Sequence, residues 1–163
     1  MIRLILTLCL SMQLPLSAAA ETPSALLEQF VGEWRSDGPA LGAEAVSTMT
    51  WSQALGGKFM RLDYRIDMNR DGKSSVFEGV GYYQLGDGET IRGNWADNFG
   101  DMDPISATRE GDALVSIWGV DGGKQGRTRY ELLPSGEMQV TDWVINDGDW
   151  RQFNQNTYQR ISD

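Results

Sequence analysis

The chain has 163 residues, with 14 lysines and arginines against 23 aspartates and glutamates, and a formal net charge of −9. That balance argues against nucleic acid or an anionic membrane surface as a partner. Histidine is absent and Cys9 is the sole cysteine, which removes the usual general base, zinc ligand and proximal haem ligand, and with them Ser-His and Cys-His nucleophiles.

The N-terminus reads as a secretory leader. Arg3 is followed by an apolar stretch over 4–16 and by Ala18-Ala19-Ala20 before Glu21, so cleavage is expected after Ala20. Ser11, Gln13 and Pro15 make the stretch too short and polar to anchor in a bilayer. The expectation is export without a membrane anchor, to the periplasm in a Gram-negative cell. Residues 21–163 then form one domain without a disulfide. Since Arg3 is the only charged residue of the leader, the remaining net charge is −10.

Thr22 and Pro23 open a short helix that runs through Leu26, Leu27 and Phe30 and stops at Gly32. From there the period is two. The clearest strand is 58–68, where Met60, Leu62, Tyr64, Ile66 and Met68 alternate with Arg61, Asp63, Arg65 and Asp67, as one wet and one buried face require. Further strands are predicted over 33–36, 45–55, 74–85, 90–96, 105–109, 113–120, 127–133, 138–145 and 150–161. Between them stand turn sequences such as Gly56-Gly57, Asp71-Gly72, Glu110-Gly111-Asp112 and Asp147-Gly148, whose residues accept positive φ. The fold class is all-β: an antiparallel up-and-down meander of about ten strands that avoids bare edges by closing into a barrel. Pairing Met68 with Lys73 sets Tyr64 opposite Phe77 and Leu62 opposite Gly79. Large side chains would then face glycines across the interior.

Phe30-Val31-Gly32-Glu33-Trp34 resembles the opening of calycins, the lipocalin superfamily, in which a short helix leads through Gly-x-Trp into the first strand. Tyr158-Gln159-Arg160 is similar to their last strand. The resemblance implies that Gly32, Trp34 and Arg160 build the barrel floor, with the guanidinium over the indole. Leu55-Gly56-Gly57-Lys58-Phe59, Gly79-x-Gly81-Tyr82 and Trp95-Ala96-Asp97 also look like a family of uncharacterised exported bacterial barrels, similar in outline to nitrobindin-type haem barrels. Those haem barrels use a histidine ligand that this chain lacks, so no haem and no other cofactor is expected. The resemblance implies a fold and a pocket.

Asp67-Met68-Asn69-Arg70-Asp71-Gly72, with Glu78 five residues on, matches the EF-hand calcium loop at each fixed position. The strand-like alternation before Asp67 contradicts that context and points to a hairpin turn instead. A weak calcium site would then rest on Asp67, Asn69 and Asp71 alone. The loop from Asp97 to Asp103 carries an acidic cluster of Asp97, Asp101 and Asp103 and two apolar residues, Phe99 and Met102, and reads as a solvated loop, a lid over the barrel mouth or a cation site.

For function, the residues favour a small apolar or amphipathic molecule inside the barrel. Tyr64, Phe77, Tyr83, Trp95, Trp118, Trp143, Asn154 and Tyr158 are the candidate ligand contacts. If Arg160 points to the floor, the whole last-strand row of Trp150, Gln152, Asn154, Asn156, Tyr158 and Arg160 lines the interior and its amides need partners; if Phe153 and Ile161 face in instead, the row is a solvated surface. The alternative is an envelope interaction or structural module whose interior is filled. Catalysis has the weakest basis: Asp63 and Glu78 could face each other, but Arg61 and Arg65 flank them on a wet face.

Overall fold

A computed structural model describes residues 22–161; the expected leader, residues 1–20, lies outside them. Helix α1 (Pro23–Phe30) is capped by Thr22, whose Oγ1 accepts from Ala25 N at 3.2 Å, and it buries Leu26, Leu27 and Phe30. Ten strands follow: β1 (Gly32–Ser36), β2 (Glu44–Ala54), β3 (Phe59–Arg70), β4 (Lys73–Gln84), β5 (Thr90–Asp97), β6 (Met102–Glu110), β7 (Ala113–Gly119), β8 (Gln125–Leu132), β9 (Met138–Asn146) and β10 (Asp149–Arg160). Each pairs antiparallel with the next and β10 returns to β1, so the meander closes and leaves no free edge. Among the described residues, no helix is long and apolar enough to cross a membrane.

Tight turns set the registers. Asp71 (φ 53°) and Gly72 (φ 76°) form a two-residue connection between β3 and β4, so Arg70 pairs with Lys73. Positive φ at both central positions is the type I′ condition that suits the twist of a hairpin. This corrects the expected register by two residues: Tyr64 faces Gly79, Leu62 faces Gly81 and Met60 faces Tyr83. A shift of two leaves every side chain on its expected face. Asp147 and Gly148 repeat the device between β9 and β10. The connection from Asp97 to Asp103 is shorter than expected, because Met102 and Asp103 already belong to β6.

One end of the barrel is sealed. Trp34 is fully buried and donates from Nε1 to Phe30 O at 2.7 Å. The Arg160 guanidinium lies 4.2 Å from the centre of its ring, donates from Nη2 to Gln29 O at 2.8 Å and also bonds Val31 O. Arg160 thus ties β10 to the helix end and stacks on the tryptophan of β1 at once. Gly32 (φ 129°) makes room for it, since a Cβ there would sit 2.5 Å from Arg160 Nη1. Above α1, Phe30, Trp51, Tyr83 and Tyr130 form an aromatic layer, with Trp51 centred 5.4 Å from Tyr83 and 5.3 Å from Tyr130.

Two tryptophans higher in the wall lie flat over glycines. A Cβ on Gly79 would fall 2.0 Å from Trp95 Cζ2, and one on Gly126 would fall 1.9 Å from Trp118 Cζ2. Both glycines are ledges for indoles. Gly126→Ala should therefore destabilise the fold by about 1–3 kcal/mol through overpacking, lowering the thermal midpoint followed by circular dichroism. Gly86→Ala, where a Cβ meets nothing within 4 Å, should leave the midpoint nearly unchanged.

Candidate functional site

Between the aromatic layer and the far end the barrel is hollow. A cavity of about 400 Å³ opens there, within the ~300–1,000 Å³ range of small-molecule pockets. Tyr83 and Tyr130 form its base, and Tyr64, Phe77, Trp95 and Trp118 its walls. The exposed members of its lining, Phe99, Phe153 and Lys124, mark the rim together with Leu41, Asp97 and Asp103. Phe99 sits over Phe77 at 5.5 Å between centroids. Asp97 orders the turn beneath it by accepting from Phe99 N at 3.0 Å and Asp101 N at 3.3 Å. Lys124 pairs with Asp101 across the rim.

The polar content of the cavity gathers on one wall. Asp142 (β9) accepts from Thr128 Oγ1 (β8) at 2.7 Å and from Asn154 Nδ2 (β10) at 2.9 Å. Thr128 Oγ1 in turn accepts from Trp118 Nε1 (β7) at 3.2 Å. Four adjacent strands thus converge on one carboxylate. Asp142 lies deep in the barrel, and its accessible surface opens onto the cavity it lines. Burial raises its carboxyl above the ordinary aspartate value, while the bonds from Asn154 and Thr128 pull the other way. Across the interior, Tyr64 (β3) and Tyr158 (β10, the strand of Asn154) share a hydroxyl–hydroxyl bond of 3.0 Å. Burial raises both phenols, Tyr158 to about 12, and does the same to Tyr83 and Tyr130.

Six of the eight expected contacts line this cavity: Tyr64, Phe77, Tyr83, Trp95, Trp118 and Asn154. Tyr158 does not; it is fully buried behind Tyr64. Trp143 is a correction, because it stands outside the barrel, with the Arg127 guanidinium 4.2 Å from its ring centre and 5.4 Å from that of Trp150. Met138, Val140, Asp142 and Val144 take the inward positions of β9, which leaves Trp143 facing out. Asp142, Thr128, Tyr130 and Ser116 are cavity residues that sequence reasoning missed.

In β10 a bulge at Phe153 breaks the ladder, since Gln152 pairs with Trp143 and Asn154 with Asp142. Asn154, Asn156 and Tyr158 are buried, while Trp150 and Gln152 are exposed. The inward row therefore stops at the bulge, where Phe153 itself turns to the rim.

The calcium candidates sit on the outer hairpin. The Asp67 carboxylate is held by Arg65 at 2.5 Å, Asn69 Oδ1 caps the turn on Gly72 N at 3.0 Å, and Asp71 occupies the turn itself. Among the described residues, no group of three or more acidic, cysteine or histidine side chains is placed to hold a metal ion. Asp63 faces Val80 rather than Glu78, and each of the two carboxylates is paired with an arginine at 2.5 Å. The chain offers no imidazole, and burial raises the phenols of Tyr64, Tyr83, Tyr130 and Tyr158.

The chain is thus a closed ten-strand antiparallel barrel of calycin-like form with a hollow, aromatic interior. No protein-family model matches it, and no curated protein matches it.

The buried carboxyl fixes the sign of one pH effect. Its folded pKa lies above the unfolded one, so the folded protein holds an extra proton between the two values. This contribution is present below the ordinary carboxylate range and is lost as pH rises through the folded value. Asp142→Asn keeps a carbonyl for Asn154 and offers an amide to Thr128 Oγ1. The variant should melt higher than the wild type near neutral pH, by a margin that shrinks on acidification. A margin constant from about pH 4 to about pH 8 would contradict the raised carboxyl.

Proposed function

We propose that this is an exported calycin-like barrel that binds a small apolar or amphipathic molecule within its cavity. The carrying observation is the cavity of about 400 Å³, walled by aromatics and with one polar cluster at Asp142, Asn154 and Thr128. A fold that needed only a packed centre would bring the walls together, because empty apolar space forfeits dispersion contacts. Here glycine ledges hold Trp95 and Trp118 back against the wall, which keeps the centre open. Few, convergent polar groups in an apolar cavity are the usual composition of a small-molecule site.

The likeness to exported bacterial barrels and the leader-like residues 1–20 support a periplasmic setting. The resemblance to nitrobindin-type barrels extends to the outline alone, since the ligand histidine is absent. The interaction-module alternative loses its main premise, a filled interior. It retains exposed apolar side chains such as Phe99, Met102, Trp150 and Phe153.

Saturable binding of the neutral dye N-phenyl-1-naphthylamine, read by its fluorescence gain, is the direct test. Val144→Trp places an indole into the cavity from a half-buried lining position and should weaken the dye at least about tenfold, equivalent to 1.4 kcal/mol, without changing the circular dichroism. Equal binding by the variant, or no saturable binding by the wild type, would refute the internal site. Native mass spectrometry of protein purified from its exporting host should then show an organic adduct that is lost on denaturation.

A further inference from the structure

The geometry points to a ligand class, resting on the cavity reading above: the bound molecule is a protonated amine on an apolar body, met by the carboxylate of Asp142. The first support is the unbalanced charge of the interior. Asp142 receives bonds only from the neutral donors Thr128 and Asn154. Two of the roughly four acceptor positions of a carboxylate are thereby used, and its remaining surface faces the cavity. The only cation among the described lining residues is Lys124, and it is engaged by Asp101 at the rim. A carboxylate inside protein is costly without a positive partner. The partner here is absent from the wall and has room to arrive as a guest.

Three further features favour a cation over an anion or a neutral guest. Asp97 and Asp103 stand at the rim, so the approach carries negative potential. The cavity is faced by the rings of Tyr64, Tyr83, Tyr130 and Trp95, whose π-faces attract ammonium groups and pack against an apolar body. An anionic guest would meet Asp142 with no interior cation to offset it. Thr128 and Asn154 act as positioning residues, holding the carboxylate from two neighbouring strands.

The proposal carries a pH signature. At low pH Asp142 holds a proton, and an amine must displace it, so amine affinity rises with pH as the carboxyl ionises. The other titratable groups facing this space do not mimic the effect. Tyr64, Tyr83, Tyr130 and Tyr158 stay neutral in this range because burial raises them. Lys124 is raised by its bond to Asp101 and keeps its charge. Asp97 and Asp103 lie at the rim and act on entry rather than on the guest's seat.

The experiment is calorimetric titration of three probes with one body: 2-(1-naphthyl)ethylamine, 2-(1-naphthyl)ethanol and 1-naphthylacetate. With wild-type protein near neutral pH, the amine should bind at least about tenfold tighter than the alcohol, and the acetate weakest. In Asp142→Asn the amine should lose its advantage over the alcohol. An alcohol that matches the amine, or an amine preference that survives Asp142→Asn, overturns the charge assignment while leaving the cavity reading in place. Binding of none of the three overturns both. Should Asp142→Asn lose its near-ultraviolet circular dichroism, the wild-type pH series decides. Amine affinity that climbs with pH against a flat alcohol supports the proposal, and parallel profiles overturn it.

Discussion

A meander becomes a barrel only when its last strand finds its first, and here that seam is narrow. β1 has five residues, and its register with β10 pairs Trp34 with Arg160 and Arg35 with Gln159, extended by the bond from Ile161 N to Glu33 O at 2.8 Å. Among the described residues there is no cysteine, and so no disulfide, to reinforce it. Arg160 carries much of the burden, because one planar guanidinium stacks on the Trp34 ring and caps carbonyls at the end of α1. That end of a helix leaves carbonyls without partners inside the helix, so strand, helix and floor are fastened by one side chain. The cavity depends on this closure, since an open sheet would flatten and fill.

Much of the fold was legible in the sequence because a strand with one wet face must alternate. The run from Met60 to Met68 displays that alternation without interruption, and the glycine-bearing turns fall between the strands they separate. The expected β3–β4 register errs by two residues because it assumes a four-residue turn, whereas Asp71 and Gly72 alone suffice once both adopt positive φ. The error left the interior face unchanged, which is why Tyr64 and Phe77 could still be placed in the cavity.

The polar centre of the site was harder to read. An aspartate beside a tryptophan suggests that the tryptophan is the buried one, yet strand parity rules otherwise. Met138 and Val140 are buried, so Asp142 and Val144 follow them inward and Trp143 must leave. Trp143 loses little by doing so, because Arg127 covers its ring and the pair shields apolar area from water. Parity counted from the buried methionine was the available signal. What sequence could not supply was the meeting of Thr128, Asp142 and Asn154, which depends on register across three strands.

The bulge at Phe153 separates two tasks along one strand. Below it, Asn154, Asn156 and Tyr158 belong to the interior and are fixed by their neighbours; above it, Trp150 and Gln152 belong to the outer surface. The single unpaired residue between them faces the rim, and the ladder resumes on both sides of it. A change of size at this one position, or even its removal, would reshape the entrance without moving Asn154 away from Asp142. In a lineage of such barrels, the doorway could therefore diverge while the chamber behind it stayed the same.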